Sequence, residues 1–184
     1  MKKVKREIRT VGIDDAPFEF SQNTTGLVGC VFRGSYRLID VLSTQINVDG
    51  MDVTEKIAKM LINSKHQEQV RVILLDGITF GGMNIVDMDR LCEETEKPVL
   101  ALTKDKPSKK KMFKALENTS EQKKRKRLVE KAGEINELNF NDKNIFYQSR
   151  GLNKEQVKDI LKATTYSGTT PEPLRTAHLI AKNI

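Results

Sequence analysis

The chain opens with strand-like hydrophobic patterns and then changes period. Ile8, Val11 and Ile13 mark a short strand over Glu7–Ile13, which runs into Asp14-Asp15-Ala16-Pro17. Gly26–Phe32 and Tyr36–Leu42 are two further strands, joined by Arg33-Gly34-Ser35 at hairpin length. Val53, Ile57, Met60 and Leu61 then share one helical face; Asp52 is placed to cap this helix, and Glu55 to complete a capping box. Val70–Leu75 is almost wholly apolar, as expected of a strand buried on both faces, and stops at Asp76-Gly77. After the Gly81-Gly82 turn, a helix is predicted from about Asn84 to Thr95, then a buried strand over Pro98–Leu102 ending at Thr103-Lys104. A last strand covers Asn144–Gln148. Asn153 caps a helix reaching about Thr164, and Pro171 and Pro173 precede a C-terminal helix carrying Leu174, Ala177 and Ala181.

Three opening antiparallel strands followed by alternating helices and buried strands predict an α/β fold with a mixed sheet flanked by helices. The same element order occurs in the ribonuclease H fold. Nothing in the pattern divides the 184 residues, so the expectation is a single domain over 1–184.

Composition narrows the function classes. No apolar run approaches the ~18 residues of a membrane span. The basic stretch Met1–Arg9 leads into a strand without an apolar signal segment, so a cytoplasmic protein is expected. Cys30 and Cys92 lie in apolar surroundings and read as buried free thiols. These cysteines, with His66 and His178, lack zinc-finger spacing, and no nucleotide-binding glycine loop or nucleophile elbow is present. Metal chemistry in this chain must therefore use carboxylates. The net charge of +7 is concentrated: Lys104–Lys131 holds twelve basic residues and four acids, which leaves the rest of the chain at −1. This segment is either a solvated helical connection or a phosphate-binding flank that includes Lys109, Lys110 and Lys111.

Asp14 and Asp76 occupy equivalent places, each at the end of a strand. Sites in open α/β sheets gather beyond the carboxyl ends of parallel strands. If the first and fourth strands are neighbours, the two carboxylates converge and require a cation, and their hard oxygen ligands suit Mg²⁺ or Mn²⁺. Such a centre can activate water for phosphodiester hydrolysis. Taken singly, each aspartate also reads as a turn residue. Asp49 or Asp52 is the candidate third acid, and Asp15 points away from Asp14. Lys104 either neutralises a phosphate or is a solvated surface lysine. His178 reads as packed on a helix face, with a water-positioning role left open.

Several segments then resemble one family. Val11-Gly12-Ile13-Asp14-Asp15 and Leu74-Leu75-Asp76-Gly77 are similar to the two metal-binding strands of endonuclease V. Leu100-Ala101-Leu102-Thr103-Lys104 is similar to its strand ending in a DNA-contacting lysine. Ser149-Arg150-Gly151-Leu152 and Thr170-Pro171-Glu172-Pro173-Leu174-Arg175-Thr176-Ala177-His178 resemble its C-terminal portion in order and spacing. The chain most resembles a shorter, mainly archaeal relative of endonuclease V, for which an endonuclease acting on deoxyuridine has been proposed.

The resemblance implies a ribonuclease H-like fold and a divalent-metal nuclease cutting near a deaminated base in DNA or RNA; DNA rather than RNA is the expected partner. It implies Asp14 and Asp76 as metal ligands and Lys104 as the phosphate contact. The pattern departs in three places. No Pro-Tyr-Ile-Pro wedge lies between Val48 and Val70, no glutamate follows such a wedge, and Ile78–Met83 lacks the histidine usual after Asp-Gly. A non-catalytic nucleic-acid-binding module is the alternative these departures support.

Overall fold

The computed structural model describes residues 4–19 and 21–184, so part of the basic N-terminal stretch, Met1–Lys3, lies outside the described residues. Its main sheet has seven strands. β1 (Arg9–Asp15), β2 (Thr24–Arg33) and β3 (Arg37–Asn47) form an antiparallel meander. β4 (Val72–Asp76) pairs parallel to β1, and β7 (Val99–Thr103) parallel to β4, after a two-residue ribbon of β5 (Thr79–Phe80) and β6 (Asn84–Ile85). β8 (Asn136–Phe140) and β9 (Lys143–Arg150) complete the order β3-β2-β1-β4-β7-β9-β8.

Helices cover both faces, which explains the unbroken apolar run of β4. Ile73 and Leu75 point into a core shared with α1 (Val53–Ile62) and α2 (Met88–Thr95), through Ile57, Leu61 and Leu91. Val72 and Leu74 point the other way, into a core with Val157, Ile160 and Leu161 of α5 (Lys154–Thr164). Removing a residue such as Leu74 costs about 2–5 kcal/mol, because both its burial and the filling of its cavity are lost. The last helix, α6 (Glu172–Ala181), lies against β1 and β2. Its approach depends on Gly12: a Cβ there would stand 2.3 Å from the Pro173 carbonyl carbon and 2.5 Å from the Leu174 nitrogen.

Element boundaries depart from the sequence pattern where side chains take up backbone groups. Asp52 stands at the N-cap of α1 but makes no capping bond. Its carboxylate instead accepts from the Asn47 backbone and from the side-chain amides of Asn47 and Asn84, so the expected capping box is absent. The second helix begins at Met88 rather than Asn84, because Asp87 caps it by accepting from the Arg90 amide and Asn84 joins the small ribbon. β3 runs on to Asn47 as an exposed edge strand in which only Ile46 is buried. β8, which the pattern did not predict, buries only Leu138 and Phe140. Asn153 caps α5 with a full capping box, as its position predicts. Both cysteines are free, Cys30 buried and Cys92 half-buried.

The basic region folds as α3 (Lys109–Ala115), a 3-10 turn over Leu116–Asn118 and α4 (Gln122–Lys131). One of its twelve cations is not a surface charge. Arg125 is buried and donates to the backbone carbonyls of Ser120 (2.8 Å), Gly50 (3.0 Å), Asp49 and Met83. It fastens α4 to the 49–50 and 81–83 turns.

Candidate metal centre

Strand register assembles the centre. The parallel β1–β4 pairing sets Ile13 opposite Leu75, so the next residues on the two strands are Asp14 and Asp76. The helix over Gly12 then brings His178 to the same point. Its Nδ1 lies 2.8 Å from Asp14 Oδ2, and one donor atom from each of Asp14, Asp76 and His178 falls within 4.8 Å of the others. Among the described residues this trio is the one group of such side chains compact enough to share an ion. The carboxylate of Asp14 accepts, so Nδ1 of His178 donates, and Nε2 is the nitrogen of this largely exposed ring that Asp14 does not engage.

The electrostatics favour a cation. Burial, then the neighbouring charge of Asp76, pushes the Asp14 carboxyl up to about 6, against the hydrogen bonds from His178 and the Asp15 amide. Asp76 is exposed, but its partial removal from water raises its carboxyl too, against the pull of His178 and Lys104. Two carboxylates with so little compensation form an oxygen-rich, electron-rich corner, and a hard divalent ion would remove their mutual repulsion.

The other expected residues fall in different places. Lys104 follows β7, is exposed, and lines a cleft with Asp76, Thr169, Thr170 and Pro171. Lys109, Lys110 and Lys111 are exposed in the first turn of α3, where they oppose the helix dipole and concentrate positive potential. Asp49 and Asp52 do not join the trio. Asp49 Oδ1 accepts from the Met83 amide at 2.7 Å, and Asp52 is occupied by Asn47 and Asn84. Both hold the 47–52 turn to the 81–84 turn. Asp15 points away from Asp14 and accepts from the Gly81 amide at 2.8 Å. The third corner is His178. The sequence pattern read it as packed, yet its side chain is 61% exposed. The signal that could have found it was its place six residues after Glu172 in the tail resembling endonuclease V, seen together with Gly12.

Residues 6–184 match the endonuclease dU family. The chain belongs to that family. A UPF0215 protein of Methanothermobacter thermautotrophicus is 41% identical over 185 positions, covering 100% of this chain and 90% of the relative. The crystal structure of a protein of unknown function from Archaeoglobus fulgidus superposes with a TM-score of 0.86 at 38% identity, over 95% of this chain and 96% of that one. Endonuclease V of Ciona intestinalis, solved with a 24mer DNA containing an inosine followed by a ribo-adenosine, superposes with a TM-score of 0.62 at 14% identity, over 95% of this chain and 84% of that one. The endonuclease dU fold is thus ribonuclease H-like and shared with endonuclease V. Among the described residues no helix is long and apolar enough to cross a membrane.

Proposed function

We propose that this protein, one domain over its 184 residues, is a Mg²⁺- or Mn²⁺-dependent endonuclease that hydrolyses a phosphodiester bond beside a deaminated or damaged base in DNA. The observation that carries the reading is the convergence of Asp14, Asp76 and His178 at the carboxyl ends of two parallel strands. The two carboxylates would hold the ion, and His178 would stand beside it, hydrogen-bonded to the Asp14 carboxylate. A bound divalent ion supplies Lewis-acid activation of water and of the phosphate oxygen. His178, fixed through Nδ1 on Asp14, presents Nε2 to orient the attacking water and receive its proton. Lys104 stands beside Asp76 and offsets the charge gathering on the phosphate. Lys109, Lys110 and Lys111 extend the positive track for the backbone.

Family and fold support this reading: the chain matches a family described as endonuclease dU, and its fold is that of an endonuclease solved on DNA. The test is nicking of oligonucleotides containing one deoxyuridine or one deoxyinosine, with Mg²⁺ or Mn²⁺ and with chelator, by the wild type and by Asp14→Ala and Asp76→Ala. Cleavage only by the metal-loaded wild type is expected. Equal cleavage by all three would remove the two aspartates from the mechanism.

A further inference from the structure

The exposed aromatics divide by position. Among the described residues, Tyr36 and Tyr166 are the strongly exposed ones, at 57% and 80%. Tyr36 is accounted for locally: its hydroxyl donates to Glu7 at 2.8 Å, in the β2–β3 hairpin at the end of the sheet away from Asp14. Tyr166 has no such partner among the described residues. It follows α5 in the connection to α6, and the later residues of that connection, Thr169 to Pro171, line the cleft with Asp76 and Lys104.

The connection is built to hold its shape. The Thr165 amide closes α5 on the Leu161 carbonyl at 2.9 Å. Gly168 turns the chain at φ +67°, and its carbonyl accepts from the Asn141 side chain at 2.6 Å, which ties the connection to the β8–β9 turn. A segment tied at these points that presents an exposed aromatic ring to water forgoes the burial such a ring normally supplies. Thr169 is three residue steps from Tyr166, a Cα reach of at most ~11 Å. That keeps the ring within a few nucleotides of the cleft.

We propose that Tyr166 is a base-stacking contact for unpaired nucleotides, a few positions along the strand from the phosphate beside Lys104. This rests on the nucleic-acid reading above and adds to it a contact that carries no charge. Stacking on a protein aromatic discriminates little among bases and requires an unstacked nucleotide. The ring would therefore favour single-stranded or locally opened substrate over intact duplex.

The test is fluorescence anisotropy with a labelled single-stranded oligothymidylate and a duplex of equal length, in chelator so that nothing is cut. Tyr166→Ala is expected to weaken single-strand binding about 5- to 150-fold, the range of one lost stack. The slope of log affinity against log salt should stay unchanged, because no cation is removed. Tyr166→Phe should bind within about twofold of wild type, and Tyr36→Ala should bind like wild type. The chain has no tryptophan, so Tyr166→Trp supplies a single reporter whose emission should be quenched when the oligonucleotide binds. Wild-type affinity in Tyr166→Ala, or unquenched emission in a Tyr166→Trp complex that anisotropy shows to be formed, would overturn the stacking contact and leave nucleic-acid binding standing. Failure of the wild type to bind either oligonucleotide would overturn the nucleic-acid reading and the contact with it. Loss of self-association on Tyr166→Ala, with oligonucleotide affinity intact, would assign the ring to a contact between copies and overturn the proposal.

Discussion

In the metal-free protein, Asp14→Asn should stabilise the fold. The Asp14 carboxyl is raised from 3.8 to about 6, with burial as the first cause and the charge of Asp76 as the second. The folded state therefore holds a proton more tightly than the unfolded chain. Between these two values the folded state binds more protons, so stability falls as pH rises through the window and stays lowered above it. At ~1.36 kcal/mol per unit the full penalty near neutrality is about 3 kcal/mol. Solvent at the rim and the loss of a charged hydrogen bond to His178 reduce the net gain to about 1–3 kcal/mol. For a chain of this length that is roughly 2–12 °C in Tm. Thermal or urea unfolding in chelator at pH 7.5 should show the variant above the wild type, with the difference shrinking toward zero by pH 4. Added Mn²⁺ should reverse the order, because the ion stabilises only the protein that binds it. A variant no more stable than wild type at pH 7.5, or a gain that does not fade on acidification, would refute the view that Asp14 is held at a cost for a cation.

Gly12→Ala should push α6 off β1, costing about 1–3 kcal/mol or more and weakening Mn²⁺ binding through the displaced His178, measured by unfolding and calorimetry in parallel. His178→Ala should weaken Mn²⁺ binding by about 10- to 100-fold, the usual loss when a ligand's partner is removed. Replacing Lys109, Lys110 and Lys111 together by glutamine should lower the salt slope of oligonucleotide binding by up to ~2.7, at ~0.9 per phosphate contact, with Mn²⁺ affinity unchanged. Arg125→Met should destabilise by about 3 kcal/mol or more, because it orphans carbonyls from three turns, and limited proteolysis should then cut first between 104 and 131.

The strongest sequence signals were those set by periodicity. The β4 run, the α1 face and the Asn153 cap predicted real elements, because burial on two faces, burial on one stripe and capping each leave a local trace. The Asp14–Asp76 pair was legible for the same reason: both residues end strands, and the parallel pairing sets them side by side. The third corner was not legible locally. Asp49 and Asp52 lie close to the first helix in sequence, but beside a local contact to Asn47 their carboxylates are bound to Met83 and Asn84, contacts of long sequence separation that no period reveals. His178 reaches Asp14 only because Gly12 lets α6 rest on the β1 backbone. Arg125 was hidden in the charge count for a related reason: a cation satisfied by backbone carbonyls looks, in sequence, like any other surface charge.

Whether Asp14 and Asp76 hold a divalent ion beside His178 is read by anomalous diffraction from crystals of the wild-type protein soaked in MnCl₂, collected at the manganese edge. An anomalous peak beside the Asp14 and Asp76 carboxylates, lost in Asp14→Asn, is the expected result. A peak seated instead at Asp49 and Asp52, or no peak from crystals whose dissolved protein still cleaves with Mn²⁺, would contradict it.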